Sequence, residues 1–132
     1  MRKTLQWQWI IATVLALVAI LMSLPGRAAC ALSDITVKSM QAKFVNECEQ
    51  SPCVHLKGAA VLTNDCAEPV GVQVTITAHA QSGARVAGQD WWLASHKNIP
   101  PGDYRFSMDY GIDYEPGMAT VDLKPTRIKR WP

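Results

Sequence analysis

The sequence predicts an all-β domain, folded as an antiparallel sandwich and set behind an apolar leader. Three observations predict it: apolar and polar residues alternate with a period of two after residue 31, most prolines fall between the alternating runs, and no helical stripe of useful length follows the leader. The chain has 132 residues, and its first 31 hold three of the 13 basic groups and none of the 11 acids. Without them ten basic and eleven acidic groups remain, so the formal charge changes from +2 to −1 and the usual electrostatic case for nucleic-acid binding disappears. The remainder, about 100 residues, suits one domain whose single core would gain from cross-links. A hydrophobic content of 48% with five tryptophans excludes a solvated coil.

The leader comes first. Arg2 and Lys3 form a positive start, Ile10 to Met22 is apolar except at Thr13, and Pro25 to Ala31 is rich in small residues. This is the pattern of an export signal. Counted from Trp7 to Leu24 the apolar reach is 18 residues, near the lower limit for crossing a bilayer, with Trp7 and Trp9 placed like interfacial anchors. Cleavage after Ala28 keeps Cys30 and cleavage after Ala31 removes it. An acylated Cys30 is a third option, although Arg27 stands where a lipobox carries an aliphatic residue. Residues 1–31 are thus read as a signal peptide or an uncleaved transmembrane anchor. Residues 32–124 are read as the sandwich and 125–132 as a basic tail, in an extracytoplasmic location that is either soluble or membrane-anchored.

The strands follow in order. Ile35 to Val45 is a loosely alternating run, and Val54, Leu56, Gly58, Ala60 and Leu62 then alternate with His55, Lys57 and Thr63. In the cleanest strand Val70, Val72, Val74, Ile76 and Ala78 alternate with Gly71, Gln73, Thr75 and Thr77. Ala84 to Leu93, Tyr104 to Tyr110 and Met118 to Leu123 complete the set. Pro52, Pro69, Pro100, Pro101, Pro116 and Pro125 are expected between strands, where a missing backbone donor costs least. Six or seven short strands with turns such as Ser82-Gly83 and Pro101-Gly102 predict an immunoglobulin-like antiparallel β-sandwich of about seven strands.

The cysteines constrain this arrangement. Cys53 and Cys66 flank the Val54 to Thr63 run, whose ten residues at about 3.3 Å each separate its ends by roughly 33 Å, beyond disulfide reach. Cys48 can close on Cys53 across a hairpin loop. If the preceding strand returns antiparallel, its start brings Cys30 near Cys66, so the expected pairs are Cys48 with Cys53 and Cys30 with Cys66. A zinc site of Cys48, Cys53, Cys66 and His55 fails on the same distance.

Gly58, Asn64 at a strand end, the Val70 to Ala78 run, Gly83, Asn98-Ile99-Pro100-Pro101-Gly102 and Phe106 form an ordered set. Through them the segment from Ile35 to Leu123 resembles the small extracytoplasmic bacterial domains of the FxLYD type, with Ala78-His79-Ala80 where those domains carry Tyr-Asp before the glycine turn. The resemblance implies a secreted or membrane-tethered accessory module with no family-wide catalytic site.

Sites of chemistry are few. His55, His79 and His96 lie apart in sequence without a second ligand at metal spacing, and no nucleophile elbow, haem attachment motif, phosphate loop or dinucleotide fingerprint occurs. The protein is expected to be no enzyme and to need no cofactor. Asp109, Asp113 and Glu115 offer three carboxylates on one loop, a weak candidate for calcium without the spacing of a calcium loop.

Trp91 and Trp92 cannot both enter one face of a strand, so one must meet a loop, a ligand or a partner. The tail from Lys124 to Pro132 carries Lys124, Arg127, Lys129, Arg130 and Trp131 with no acid, a composition suited to anionic lipid or an acidic partner. Trp91, Trp92, Arg127, Lys129, Arg130 and Trp131 are the candidate contacts for a protein partner, possible within a membrane complex. The membrane itself would be reached through the leader if that is uncleaved, and nucleic acid is not expected. The reading is an exported non-catalytic accessory module; a free periplasmic carrier of a ligand or metal and a small hydrolase are the alternatives.

Overall fold

The computed structural model describes residues 29–50 and 53–132. The signal or anchor expected over residues 1–31 therefore lies almost wholly outside the described residues. Among the described residues, no helix is long and apolar enough to cross a membrane.

The chain is all-β. After a 3-10 turn at Leu32–Asp34 come β1 (Ile35–Asn46), β2 (Val54–Asn64), β3 (Gly71–Ala80), β4 (Arg85–Trp92), β5 (Gly102–Ser107) and β6 (Met118–Lys129). They form two antiparallel three-stranded sheets, ordered β1-β2-β5 and β4-β3-β6. Among the described residues the strands number six, against the seven at the top of the expected range.

The alternation in β3 explains its central place. Val72, Val74, Ile76 and Ala78 are completely buried, while Gln73, Thr75, Thr77 and His79 point the other way. Ile35 and Leu62 from the first sheet join Val70, Val72 and Val74 from the β3 side in one buried cluster, and Leu56 and Ala60 join Ile76 and Ala78 in a second. The two sheets thus share their core. Leu56, Leu62 and Ile76 are among its largest fully buried side chains, each contributing roughly 1.5–3 kcal/mol of burial free energy.

The polar Asn64, 1% exposed, ends β2. Its amide donates to the carbonyls of Ile99 and Pro100 at 3.2 and 3.3 Å, and its oxygen accepts from the Cys66 backbone at 3.0 Å. One side chain therefore joins the turn after β2 to the loop before β5.

Both disulfides occur as the strand-length argument requires. Cys30 bonds Cys66 with Cα atoms 5.2 Å apart, and Cys48 bonds Cys53 at 5.5 Å. Two such cross-links are consistent with an oxidising, extracytoplasmic environment.

Two boundaries differ from expectation. Tyr104 to Tyr110 is a strand only as far as Ser107, because the chain turns at Met108, whose carbonyl accepts from the Gly111 backbone at 3.0 Å. The larger correction concerns 125–132: the segment expected as a tail outside the sandwich continues β6 to Lys129, with Gly71 opposite Lys129 and Gln73 opposite Arg127. Pro125, expected between strands, lies inside β6. The register shifts between Gln73 and Val74 there, and β6 is an edge strand, so this bulge accommodates a residue without an N–H.

Candidate functional site

Register places the candidate residues. Trp91 lies opposite the completely buried Val74, and Trp92 lies opposite Gln73 on the outer face. Trp91 packs against both core clusters and meets Phe106 edge to face at 6.0 Å. The opposition of adjacent side chains in a strand thus sends one indole inward and the other outward.

The outward Trp92 is half-buried rather than free. Immediately after it, Ala94, Ser95 and His96 adopt successive left-handed conformations with φ of 51°, 52° and 67°. For residues other than glycine this backbone is costly. The turn carries His96 back to within 6.3 Å of Trp92, ring centre to ring centre.

Trp131 completes the group. Its ring meets Trp92 edge to face at 5.2 Å and His96 at 5.1 Å, and the Lys129 ammonium stands 4.1 Å from its centre. Trp131 lies over Gly71, where a Cβ would collide with its indole. Its backbone is fixed by Asn98, whose side-chain amide donates to the Trp131 carbonyl and whose oxygen accepts from the Trp131 N–H, both at 2.9 Å. The indole Nε1 is buried without an acceptor among the described residues.

Cations flank this aromatic group. Arg127 shares the row of Gln73 and Trp92 on the outer face, Lys129 covers Trp131, and Arg130 pairs with Glu68. All three are exposed. Beside them lies a cleft of about 350 Å³ whose lining includes Ala29, Cys30, Glu68, Ile128, Lys129 and Arg130. The first described residues, Ala29 and Cys30, are therefore next to the same cations. The Cys30–Cys66 bond fixes this segment, and Asp34 braces it by accepting from the Ala31 backbone at 2.8 Å.

The calcium candidates lie at the opposite end of the strands, in the loop between β5 and β6. Among the described residues Asp109, Asp113 and Glu115 do not bring their carboxylate oxygens within 4.8 Å of one another. One oxygen of Asp109 instead accepts from the Gly58 backbone at 2.8 Å. Among the described residues the one group that does converge is Cys30, Asp34 and Cys66, and both sulfurs there are consumed by the disulfide. In the same distal loop Tyr110 is 71% exposed and stacks on His55 with ring centres 4.4 Å apart.

The three histidines separate as the sequence suggested. His55 lies beside Glu47, His79 Nε2 is 2.8 Å from Asp122, and His96 belongs to the aromatic group.

Comparison with known proteins finds no matching family model, no matching curated protein and no matching solved structure.

Sequence reasoning named Trp92 and Trp131 but treated strand and tail as separate candidates. It assigned no role at the surface to His96 or Asn98. The available signal was the basic-aromatic composition of the end of the chain, which marks a surface without revealing its neighbour.

Proposed function

We propose that this chain is an exported, non-catalytic accessory module of a cell-envelope assembly, and that it associates through the outer face of β4-β3-β6 at its Trp92 and Trp131 end. The observation that carries this reading is the aromatic group of Trp92, His96 and Trp131 with Arg127, Lys129 and Arg130 around it. Large aromatic rings beside basic side chains combine contact area with charge, the composition of association hot spots. The backbone holds them there by three left-handed residues and a doubly bonded Asn98, an expensive arrangement for a surface with no task.

The fold is read as immunoglobulin-like. What supports this is the pairing order: β1-β2-β5 corresponds to strands A, B and E of such a sandwich and β4-β3-β6 to C′, C and F, with no counterpart of the last strand. The FxLYD resemblance agrees with an accessory role and rests on Gly58, Asn64, Gly83, Asn98 and Phe106.

The test is recovery of the protein with native membranes, with and without chemical crosslinking. Trp92→Ala and Trp131→Ala should reduce both membrane retention and crosslinked species, whereas Tyr110→Ala at the far end should leave them unchanged. Equal retention of all four proteins would remove the surface from the proposal.

A further inference from the structure

Resting on the reading of the Trp92 and Trp131 end as the association surface, we infer that the surface it meets is the anionic headgroup layer of a phospholipid bilayer.

Three observations converge on that occupant. The first is charge: Arg127, Lys129 and Arg130 are exposed at one end of β6, where Glu68 pairs with Arg130 and, among the described residues, no carboxylate pairs with Arg127 or Lys129. The second is chemistry: Trp92 and Trp131 stand among these cations as half-buried indoles, the pairing of aromatic and basic side chains that favours the depth of lipid headgroups.

The third is position. The apolar run from Trp7 to Leu24 precedes the domain by only the few residues from Pro25 to Ala28, and Ala29 and Cys30 line the same cleft as Lys129 and Arg130. An apolar run of 18 residues that stays in a bilayer brings this end of the domain to the lipid surface, with too little intervening chain to hold it away. The Cys30–Cys66 disulfide ties the first described residues to the turn before β3. The acidic loop with Asp109, Asp113 and Glu115 then points away from the membrane, where like charges do not repel it.

Anionic lipid attracts each basic side chain at its surface, and the attraction fades within a Debye length. Binding should therefore depend on the charge of Arg127 and Arg130 rather than on guanidinium geometry.

The experiment uses the full chain in nanodiscs of phosphatidylcholine alone or of phosphatidylcholine with phosphatidylglycerol, read by hydrogen–deuterium exchange. With the anionic lipid, backbone exchange in residues 93–99 and 126–132 should slow several-fold while exchange in β2 stays constant, and high salt should abolish the difference. The combined variant Arg127→Gln, Lys129→Gln, Arg130→Gln should lose the effect, and Arg127→Lys with Arg130→Lys should keep it. Unchanged β2 exchange certifies that each variant is folded.

Equal exchange in the two lipids would overturn the inference, as would protection that survives the glutamine substitutions. If the lipid effect is absent while Trp92→Ala still reduces retention on native membranes, the surface meets a protein and only the lipid assignment fails. If neither measurement responds, the association surface itself is wrong.

Discussion

Asn98 and Trp131 hold each other by two hydrogen bonds of 2.9 Å, the side chain of one against the backbone of the other in both directions. This pairing ties the loop before β5 to the end of the chain beyond β6. It is the reason Trp131 lies over Gly71 and touches Trp92 instead of trailing into solvent.

Replacing Asn98 by Ala should therefore release residues 130–132. Two hydrogen bonds at about 0.5–1.5 kcal/mol each set the expected loss of stability at roughly 1–3 kcal/mol. Denaturant unfolding measures the loss, and a red shift of tryptophan emission reports the freed indole. Gly71→Ala should produce the same shift by a different route, because its Cβ occupies the volume of the Trp131 ring.

The three tryptophans of the described residues should separate by environment. Trp91→Ala opens the space between both core clusters and should cost about 3–5 kcal/mol. Trp92→Ala removes edge contacts to Trp131 and His96 and should cost about 1–2 kcal/mol, leaving the fold intact. Trp131→Phe keeps a ring over Gly71 while deleting the buried Nε1 that lacks an acceptor among the described residues, and it should leave stability unchanged or raise it. Equal destabilisation by Trp91→Ala and Trp92→Ala in urea titrations would contradict the inward and outward assignment.

The two disulfides should differ in worth. Closing the 36-residue separation of Cys30 and Cys66 restricts the unfolded chain more than closing the 5-residue separation of Cys48 and Cys53. Chain entropy gives roughly 4 against roughly 2 kcal/mol. Paired alanine variants compared by thermal unfolding test the ranking, and peptide mapping without reductant tests the pairing. Loss of the longer link should also raise exchange near Leu32–Asp34, the turn it fixes.

Stability should depend on pH through exposed ion pairs. The Lys57 ammonium hydrogen-bonds Glu47 and holds its carboxyl below the ordinary value, and Lys38, followed by Thr63, does the same to Asp103. Both contributions are present above the ordinary carboxylate pKa and are lost as pH falls through the lowered folded values, below about pH 4. Lys57, raised by the hydrogen bond it donates to Glu47, contributes below the ordinary lysine value and loses that contribution as pH rises through its higher folded value. All three groups are exposed, so the effects should be small and weakened by salt. In thermal melts from pH 2 to 7, Glu47→Gln and Asp103→Asn should each flatten the acid limb; an unchanged limb would remove these pairs from the account.

The sequence by itself determined the class of fold, the course of β1 to β3 and the cysteine pairing. A period of two assigns Val72, Val74, Ile76 and Ala78 to one face whatever surrounds them, and the length of β2 alone keeps Cys53 from Cys66. It also required Trp91 and Trp92 to part, without saying which would turn inward. Only the tertiary structure decided that Trp91 faces Val74, that β6 continues through Pro125, and that Trp92, His96 and Trp131 meet. Those outcomes depend on the pairing partner and its register. Trp92 and Trp131 are joined because Gly71 and Gln73 of β3 set β4 and β6 on either side of them, and Pro125 is accommodated because a bulge shifts the register at an edge strand. A local pattern fixes which way a side chain points from its own backbone, and the partner strand fixes what it meets there.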